Sequence, residues 1–418
     1  MTNRPTTNST CRPKPPSRRN VIQGALATTL LACFGIQRTS LHFVTPVHAG
    51  PPLPKLPKGK VPGLTLLNDR PLNIETPAHL LTHKITPASH LFVRNNGVPP
   101  RAVSKSDWRL TIEGECVKKG RTFSIAQLMT NFTRVTQNYV LECAGNGRHE
   151  FTPSAKGNQW TTGAVGCVTW TGIRLSDLLK TVEIAPSALY VGYVGADTHL
   201  SGQTDKKTIS RGIPFEKAMR GDCLIAWSMN NEPIPELHGH PLRLVVPGYP
   251  GSCSGKWLTK LLVRDTVHDG AKMGGKSYRV PCHPVAPGAT VADQDMCIIE
   301  EMPVKSIITR PRSGSVMKRA QPLVVEGHAW GDSGAVGQLH VSIDFGQTWT
   351  RARLNQPDNP YCWQQFSIQL PKVKPGYYEI WARATDKAGR SQPMVLAGWN
   401  PKGYLNNACH RVAIRIEA

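Results

Sequence analysis

Apolar and polar residues alternate in three stretches of the C-terminal third: Leu339, Val341, Ile343 and Phe345 before Gly346; Tyr378, Ile380, Ala382 and Ala384 before Asp386-Lys387-Ala388-Gly389; and Val412, Ile414 and Ile416. A period of two broken by turn residues predicts half-buried antiparallel strands, and the architecture expected over 301–418 is a β-sandwich. Upstream the pattern is mixed. Leu175, Leu178, Leu179 and Val182 follow the i, i+3, i+4, i+7 spacing of a short amphipathic helix, and Phe215 and Met219 make a brief helical face ending at Gly221. Val135, Tyr139, Val140 and Leu141 read as a strand that delivers the chain into a loop, Tyr190 to Asp197 as a strand leading to a turn, and the apolar run that carries Arg243 as a strand that stops at Pro247-Gly248.

No apolar run reaches the length needed to cross a bilayer, so no membrane span is expected. The first residues read as an address. Arg12, Lys14, Arg18 and Arg19 precede an apolar stretch from about Gly24 to Ile36, and Val47-His48-Ala49 offers small residues at the spacing a signal peptidase reads. Ser17-Arg18-Arg19-Asn20-Val21-Ile22 resembles a twin-arginine export signal, although Val21 stands where Phe is more usual. Residues 1–49 are therefore expected to be a leader and the mature protein periplasmic, exported already folded. A lipid anchor on Cys33, after Leu30-Leu31-Ala32, is the lesser alternative. Five prolines and three lysines over 50–63 read as a stiff extended neck.

At 418 residues the chain has room for two or three domains. Lysine and arginine outnumber aspartate and glutamate by 22, a balance that concentrates anions at the surface. The basic residues are scattered and no nucleic-acid module is visible, so a small anionic substrate is favoured over nucleic acid, with an acidic protein as partner. No Cys-x-x-Cys-His haem attachment occurs in the sequence.

The stretch Tyr139-Val140-Leu141-Glu142-Cys143-Ala144-Gly145-Asn146-Gly147-Arg148 joins a strand to a loop with two glycines, which allow the backbone to pass close to a bulky partner. Such a loop presents a thiolate at a fixed point, and Arg148 beside it would depress the thiol pKa or hold an anion. A buried cysteine that only packs is the plainer reading of the same residues. A second constellation lies in Glu236-Leu237-His238-Gly239-His240-Pro241-Leu242-Arg243, followed by Ser254-Gly255-Lys256. Loop amides together with Arg243 and Lys256 would cradle a phosphate.

Leu-Glu-Cys-Ala-Gly-Asn-Gly-Arg closely resembles the segment that carries the molybdenum-ligating cysteine in the sulfite oxidase family of molybdopterin enzymes, and further matches follow in order. The resemblance implies an α+β chain: a mixed α/β molybdopterin domain over 64–300, then an immunoglobulin-like domain over 301–418 that mediates homodimer formation. Leu91 to Asn96 resembles the family segment whose arginine, here Arg94, reaches the substrate pocket. Asn95 and Asn96 fall among its cofactor contacts, and Asn96 stands where the family often has His. Trp160 in Gln159-Trp160-Thr161-Thr162-Gly163 matches the tryptophan bordering the anion site; packing alone is the plainer account of a tryptophan. Asp197 matches a pterin-contacting aspartate. His238, Arg243, Ser254, Gly255 and Lys256 match the set that binds the phosphorylated pterin, with His238 preferred over His240 because the His-Gly-x-Pro pattern aligns on it. Tyr278 in Lys276-Ser277-Tyr278-Arg279 matches the active-site tyrosine.

On that resemblance Cys143 is the protein's one ligand to molybdenum, in keeping with soft thiolate chemistry. Arg94 and Arg148 hold an oxyanion such as sulfite, Trp160 walls it and Tyr278 donates a hydrogen bond. The implied reaction is sulfite oxidation with electrons leaving to a separate c-type cytochrome, since the chain carries no haem motif. A sulfane dehydrogenase of thiosulfate oxidation and a reductase of S-oxides or N-oxides use the same residues; a secreted binding protein with an immunoglobulin-like domain is the non-enzymatic alternative. Of eleven cysteines, Cys11 and Cys33 lie in the leader; setting Cys143 aside leaves an even number able to pair in an oxidising compartment, with no pairing fixed.

Overall fold

The structure is a computed structural model that describes residues 55–101, 104–318, 322–331, 334–371 and 373–418. The leader, Cys33 and the first part of the neck lie outside the described residues. Among those described, the chain is mostly β, and its α-helices are short: Ile125–Asn131, Leu175–Leu179 and Phe215–Met219. Ser124 caps the first with Gln127 in a reciprocal box, and the second and third are the two helices that the apolar spacing predicts. Their apolar residues face one core: Leu175, Leu178, Leu179 and Val182 pack with Leu110, Val191 and Leu261. No helix among the described residues is long and apolar enough to cross a membrane.

Two five-stranded sheets dominate residues 64–300. In one, Val135–Glu142 pairs antiparallel with Val165–Arg174, which pairs with Leu224–Met229, and Arg243–Val245 lies on the far side of that last strand. In the other, Leu258–Arg264 sits between Arg109–Glu113, to which it runs parallel, and Tyr190–Gly195. Cys143 follows directly on the first strand of the first sheet, Arg243 opens that sheet's last strand, and Lys256 and Asp197 lie just outside paired strands of the second. The site is thus assembled from strand ends, where backbone leaves the ladder and becomes free to bind.

Residues 305–417 form a four-stranded and a five-stranded sheet whose inward residues, among them Ile308, Val325, Phe366, Leu339, Ile380 and Ile414, share one core. The predicted alternation holds for 378–384 and 412–416, but in the first stretch the strand ends at Ser342. Phe345 is 52% exposed at φ 58°. The reason is local: Ser342 and Asp344 accept the amides of Gly346 and Thr348, and this turn competes successfully with the ladder.

The stretch read as a neck is packed from Leu56 onward. Leu56 and Val61 lie against Leu64, Ile74 and Val93. Among the described residues one disulfide, Cys282–Cys297, is formed, whereas Cys116, Cys143, Cys167, Cys223, Cys253, Cys362 and Cys409 are free and buried.

Candidate active site

A cavity with about 700 Å3 of empty space opens where the strand ends meet, and Cys143, Arg94, Asn96, Asp197, His238, Arg243, Ser254, Lys256 and Tyr278 all line it. Cys143 is fixed by its backbone: its N–H donates to Ala164 O at 2.9 Å and its carbonyl accepts Asn146 N–H at 2.9 Å. The glycines after it serve neighbours within the protein rather than a bound partner. A Cβ on Gly145 would sit 2.3 Å from Arg148 Nη2, and one on Gly147 would sit 2.8 Å from Asn406 Nδ2.

Arg148 does not line the cavity. It is 5% exposed, its Nε donates to Lys402 O at 2.6 Å and its Nη1 to Asn158 O at 2.8 Å. The guanidinium lies 5.0 Å from the centroid of Tyr404, which stacks on Tyr278 at 5.6 Å, so its charge stands one ring behind the cavity wall. Trp160 is likewise displaced inward: fully buried, it meets Phe92 edge to face, and Phe92 is the ring at the cavity. Asn95 and Gly255 support the wall from behind. Asn95 Oδ1 accepts from Lys256 Nζ, and a Cβ on Gly255 would fall 2.4 Å from the Tyr193 ring.

At one end of the cavity Asn96 is a junction. Its Oδ1 accepts Arg94 Nη2 at 2.9 Å and Lys272 Nζ at 2.7 Å, and its Nδ2 donates to Tyr278 Oη at 3.3 Å. Burial and the nearby Arg94 charge pull Lys272 down to about 8. Tyr278 itself is held at φ 53°, with Arg211 over its ring at 5.0 Å.

The other end gathers cations. Lys256 Nζ donates to Arg94 O at 3.0 Å and Leu237 O at 2.9 Å, and Arg243 Nη1 donates to His238 O at 2.9 Å. Ser254 Oγ is occupied by Val246 N–H at 3.0 Å. Burial first, and then the Arg243 charge, hold Lys256 well below its ordinary value; burial alone takes Arg243 down to about 10. His238 is pushed well below the usual imidazole range by burial and by Lys60, Lys256 and Arg243. Asp197 is the one carboxylate among the lining residues, and burial raises it, against the pull of Lys256. His240 turns away to Ile234 O at 3.2 Å, which leaves His238 as the histidine of the site.

Two residues of this region were not legible as site residues. Lys60, from the Pro-rich stretch, reaches His238 Nε2 at 3.0 Å, and the sequence signal was only the apolar Leu56 and Val61 flanking it. Lys272, in a glycine-rich loop, carries a surface-turn signature in sequence.

The donor set fits an anionic cofactor that also needs a thiolate. Basic side chains outnumber the one carboxylate along the cavity, and Arg243 Nε and, behind the wall, Asn95 Nδ2 are buried donors without a partner in the protein, of the kind a bound anion satisfies. Family models match over most of the same residues: the oxidoreductase molybdopterin binding domain over 95–272 and the Mo-co oxidoreductase dimerisation domain over 296–417. The chain is 32% identical to human mitochondrial sulfite oxidase, with 85% of this chain and 66% of that protein aligned. It is also 32% identical to Gallus gallus sulfite oxidase, over 84% of this chain and 77% of that one. It thus spans about two thirds to three quarters of the length of these relatives. The crystal structure of the sulfane dehydrogenase SoxCD from Paracoccus pantotrophus superposes with a TM-score of 0.69 at 27% identity, covering 93% of this chain and 96% of that one. Both domains in order, with a thiol and a cation-rich wall around one cavity, place the chain in the sulfite oxidase family of molybdopterin-dependent oxidoreductases, with molybdenum held by molybdopterin as its cofactor.

Proposed function

We propose that the protein oxidises sulfite to sulfate in the periplasm and passes the electrons to a c-type cytochrome. The observation that carries this reading is the pairing, in one cavity, of the Cys143 thiol with a cation-rich end at His238, Arg243 and Lys256 and a polar end at Arg94, Asn96 and Tyr278. When bound, the cofactor supplies oxygen-atom transfer to the sulfur lone pair and takes up two electrons. Cys143 holds the metal through its sulfur. Lys256, Arg243 and His238 hold the pterin's phosphate, and Asp197 its polar edge. Arg94 and Lys272 attract the oxyanion, while Tyr278 Oη, kept in place by Asn96, donates a hydrogen bond to it. Arg148 contributes field from behind Tyr404 and rigidity to the cysteine loop. The two-sheet region over 301–418 is read as an immunoglobulin-like domain through which two copies associate, and 1–49 as a twin-arginine leader. Net charge of +22 favours an acidic electron acceptor, reached faster at low salt.

The test is to purify the exported protein from a host that makes the cofactor, measure molybdenum and pterin per chain, and assay sulfite-dependent reduction of cytochrome c. About one molybdenum per chain with turnover is expected. Molybdenum without sulfite turnover would move the reading to a sulfane dehydrogenase acting on a carrier-bound sulfur. That second reading is supported by the near-complete coverage of the SoxCD chain and by the inward position of Arg148, which leaves fewer guanidinium donors for a small oxyanion. Folded, exported protein without molybdenum would refute both.

A further inference from the structure

The chain brings a residue from its Pro-rich N-terminal stretch into the cation-rich end of the cavity. Lys60 Nζ donates to Leu91 O at 2.6 Å and Ala88 O at 2.7 Å, and lies 3.0 Å from His238 Nε2. In its ammonium form Lys60 has three hydrogens and no lone pair; two are on these carbonyls, so the third contact obliges Nε2 to accept. The imidazole proton then resides on Nδ1. We propose that Lys60 is a positioning residue for His238: by occupying Nε2 it fixes the Nδ1–H tautomer and makes His238 a hydrogen-bond donor toward the phosphate monoester of the bound cofactor.

The surroundings support this assignment. His238 lines the cavity, is 3% exposed, and its backbone carbonyl accepts from Arg243 Nη1, so its backbone is anchored by the chain before any ligand arrives. Its facing charges are Lys60, Lys256 and Arg243, and burial together with these three keeps the ring uncharged near neutral pH. An uncharged imidazole donates from only one nitrogen, so which nitrogen carries the proton decides whether His238 attracts or repels an anion's oxygen. Burial takes Lys60 down to about 7, so the ammonium form that fixes this tautomer prevails below about pH 7. Its segment is tied down by Lys60 N–H to Pro57 O at 3.2 Å and Val61 N–H to Ser89 O at 3.3 Å, so the reach of Nζ is built into the backbone. Partners of this kind, one contact removed from the ligand, set ring orientation and tautomer in other histidine sites.

The inference rests on the reading that the cavity binds a phosphorylated pterin, and the test separates the two. Full-length wild type, Lys60→Met, Lys60→Gln, His238→Gln and the Lys60→Met, His238→Gln double variant are made in the cofactor-producing host. Pterin and molybdenum per chain are measured after dialysis, and side-chain 15N shifts are recorded below pH 7, where Lys60 is an ammonium, on histidine-labelled cofactor-free protein, with His238 identified by its loss in His238→Gln. The expected result is a wild-type His238 protonated on Nδ1, a shifted or mixed tautomer in Lys60→Met with pterin retention lowered about tenfold or more, partial rescue in Lys60→Gln, and no added loss when Lys60→Met is combined with His238→Gln. A wild-type His238 protonated on Nε2 overturns the proposal whether or not the variants fold. So does a folded Lys60→Met with unchanged tautomer and retention. Wild-type protein with the Nδ1–H tautomer but no pterin upholds the Lys60–His238 pairing and overturns the cofactor reading instead.

Discussion

Replacing Lys305 with Met tests what holds the cysteine loop in place. The loop is entered from Glu142, a carboxylate 3% exposed, whose Oε1 takes Lys305 Nζ at 2.7 Å and Asn146 Nδ2 at 2.9 Å and whose Oε2 takes Trp330 Nε1 at 2.8 Å. Unit charges at that separation attract by roughly 6 kcal/mol at an effective dielectric constant near 20, and much of this only offsets the hydration both groups have lost. Lys305→Met keeps the apolar stem and removes the charge, leaving a buried carboxylate with two uncharged donors. The expected loss of stability is about 3–5 kcal/mol. Urea unfolding of wild type, Lys305→Met, Glu142→Gln and the double variant measures it. The double variant buries no charge and should be more stable than Lys305→Met alone. Lys305→Met within about 1 kcal/mol of wild type, or a double variant no better than the single, would refute the reasoning.

Further outcomes follow from the same geometry. Cys143→Ser should unfold like wild type in urea yet lose nearly all sulfite turnover; near-normal turnover would remove the ligand role of the sulfur. Gly145→Ala places a methyl on the Arg148 guanidinium and should cost about 1–3 kcal/mol in unfolding free energy by pushing it off Asn158 O. Arg94→Gln should lower kcat/KM for sulfite by roughly 10²-fold or more, a drop that steady-state kinetics would register and that an unchanged value would contradict. Burial holds Lys60 at about 7, Lys272 at about 8 and Lys256 lower than ordinary, so above about pH 7 the unfolded chain binds more protons than the folded one. Cofactor-free protein should therefore gain stability as pH rises from about 7 to about 9, by up to about 1.4 kcal/mol per pH unit for each lysine within its window. Urea midpoints that stay flat or fall over that range would contradict it.

Sequence reasoning reached those residues whose function is written into local chemistry. The Cys143 loop is legible because a strand, a thiol and two glycines sit within ten residues, and the phosphate end because a histidine, an arginine and a Gly-Lys loop occur in order. Alternation exposed the sheets at 378–384 and 412–416, since one face of each strand is buried in the core that both sheets share. Phe345 broke the same rule because side-chain acceptors on Ser342 and Asp344 end the ladder, a competition that hydropathy does not register. Arg148 and Trp160 were legible as important but not as to direction: two carbonyls, Asn158 O ten residues on and Lys402 O far along the chain, decide where the guanidinium points. Lys60 escaped for a related reason. Proline and lysine composition describes a spacer, whereas its partners Ala88, Leu91 and His238 are brought to it only by the fold.

The contacts around the cysteine loop also bear on what the C-terminal sheets are for. Glu142 is held by Lys305 and Trp330, Ala144 O by Leu405 N–H at 2.9 Å, Gly147 O by Asn406 Nδ2 at 2.9 Å, and Arg148 Nε by Lys402 O. Residues on both sides of Cys143 therefore take their hydrogen bonds from beyond residue 300. If the chain were cut near that point, Glu142 would keep only Asn146 and Arg148 only Asn158 O of their side chains' hydrogen-bond partners, a loss of charge-compensating contacts worth several kcal/mol. Residues 305–417 thus complete the loop that presents the thiol, and the position of Cys143 is a property of both halves of the chain together.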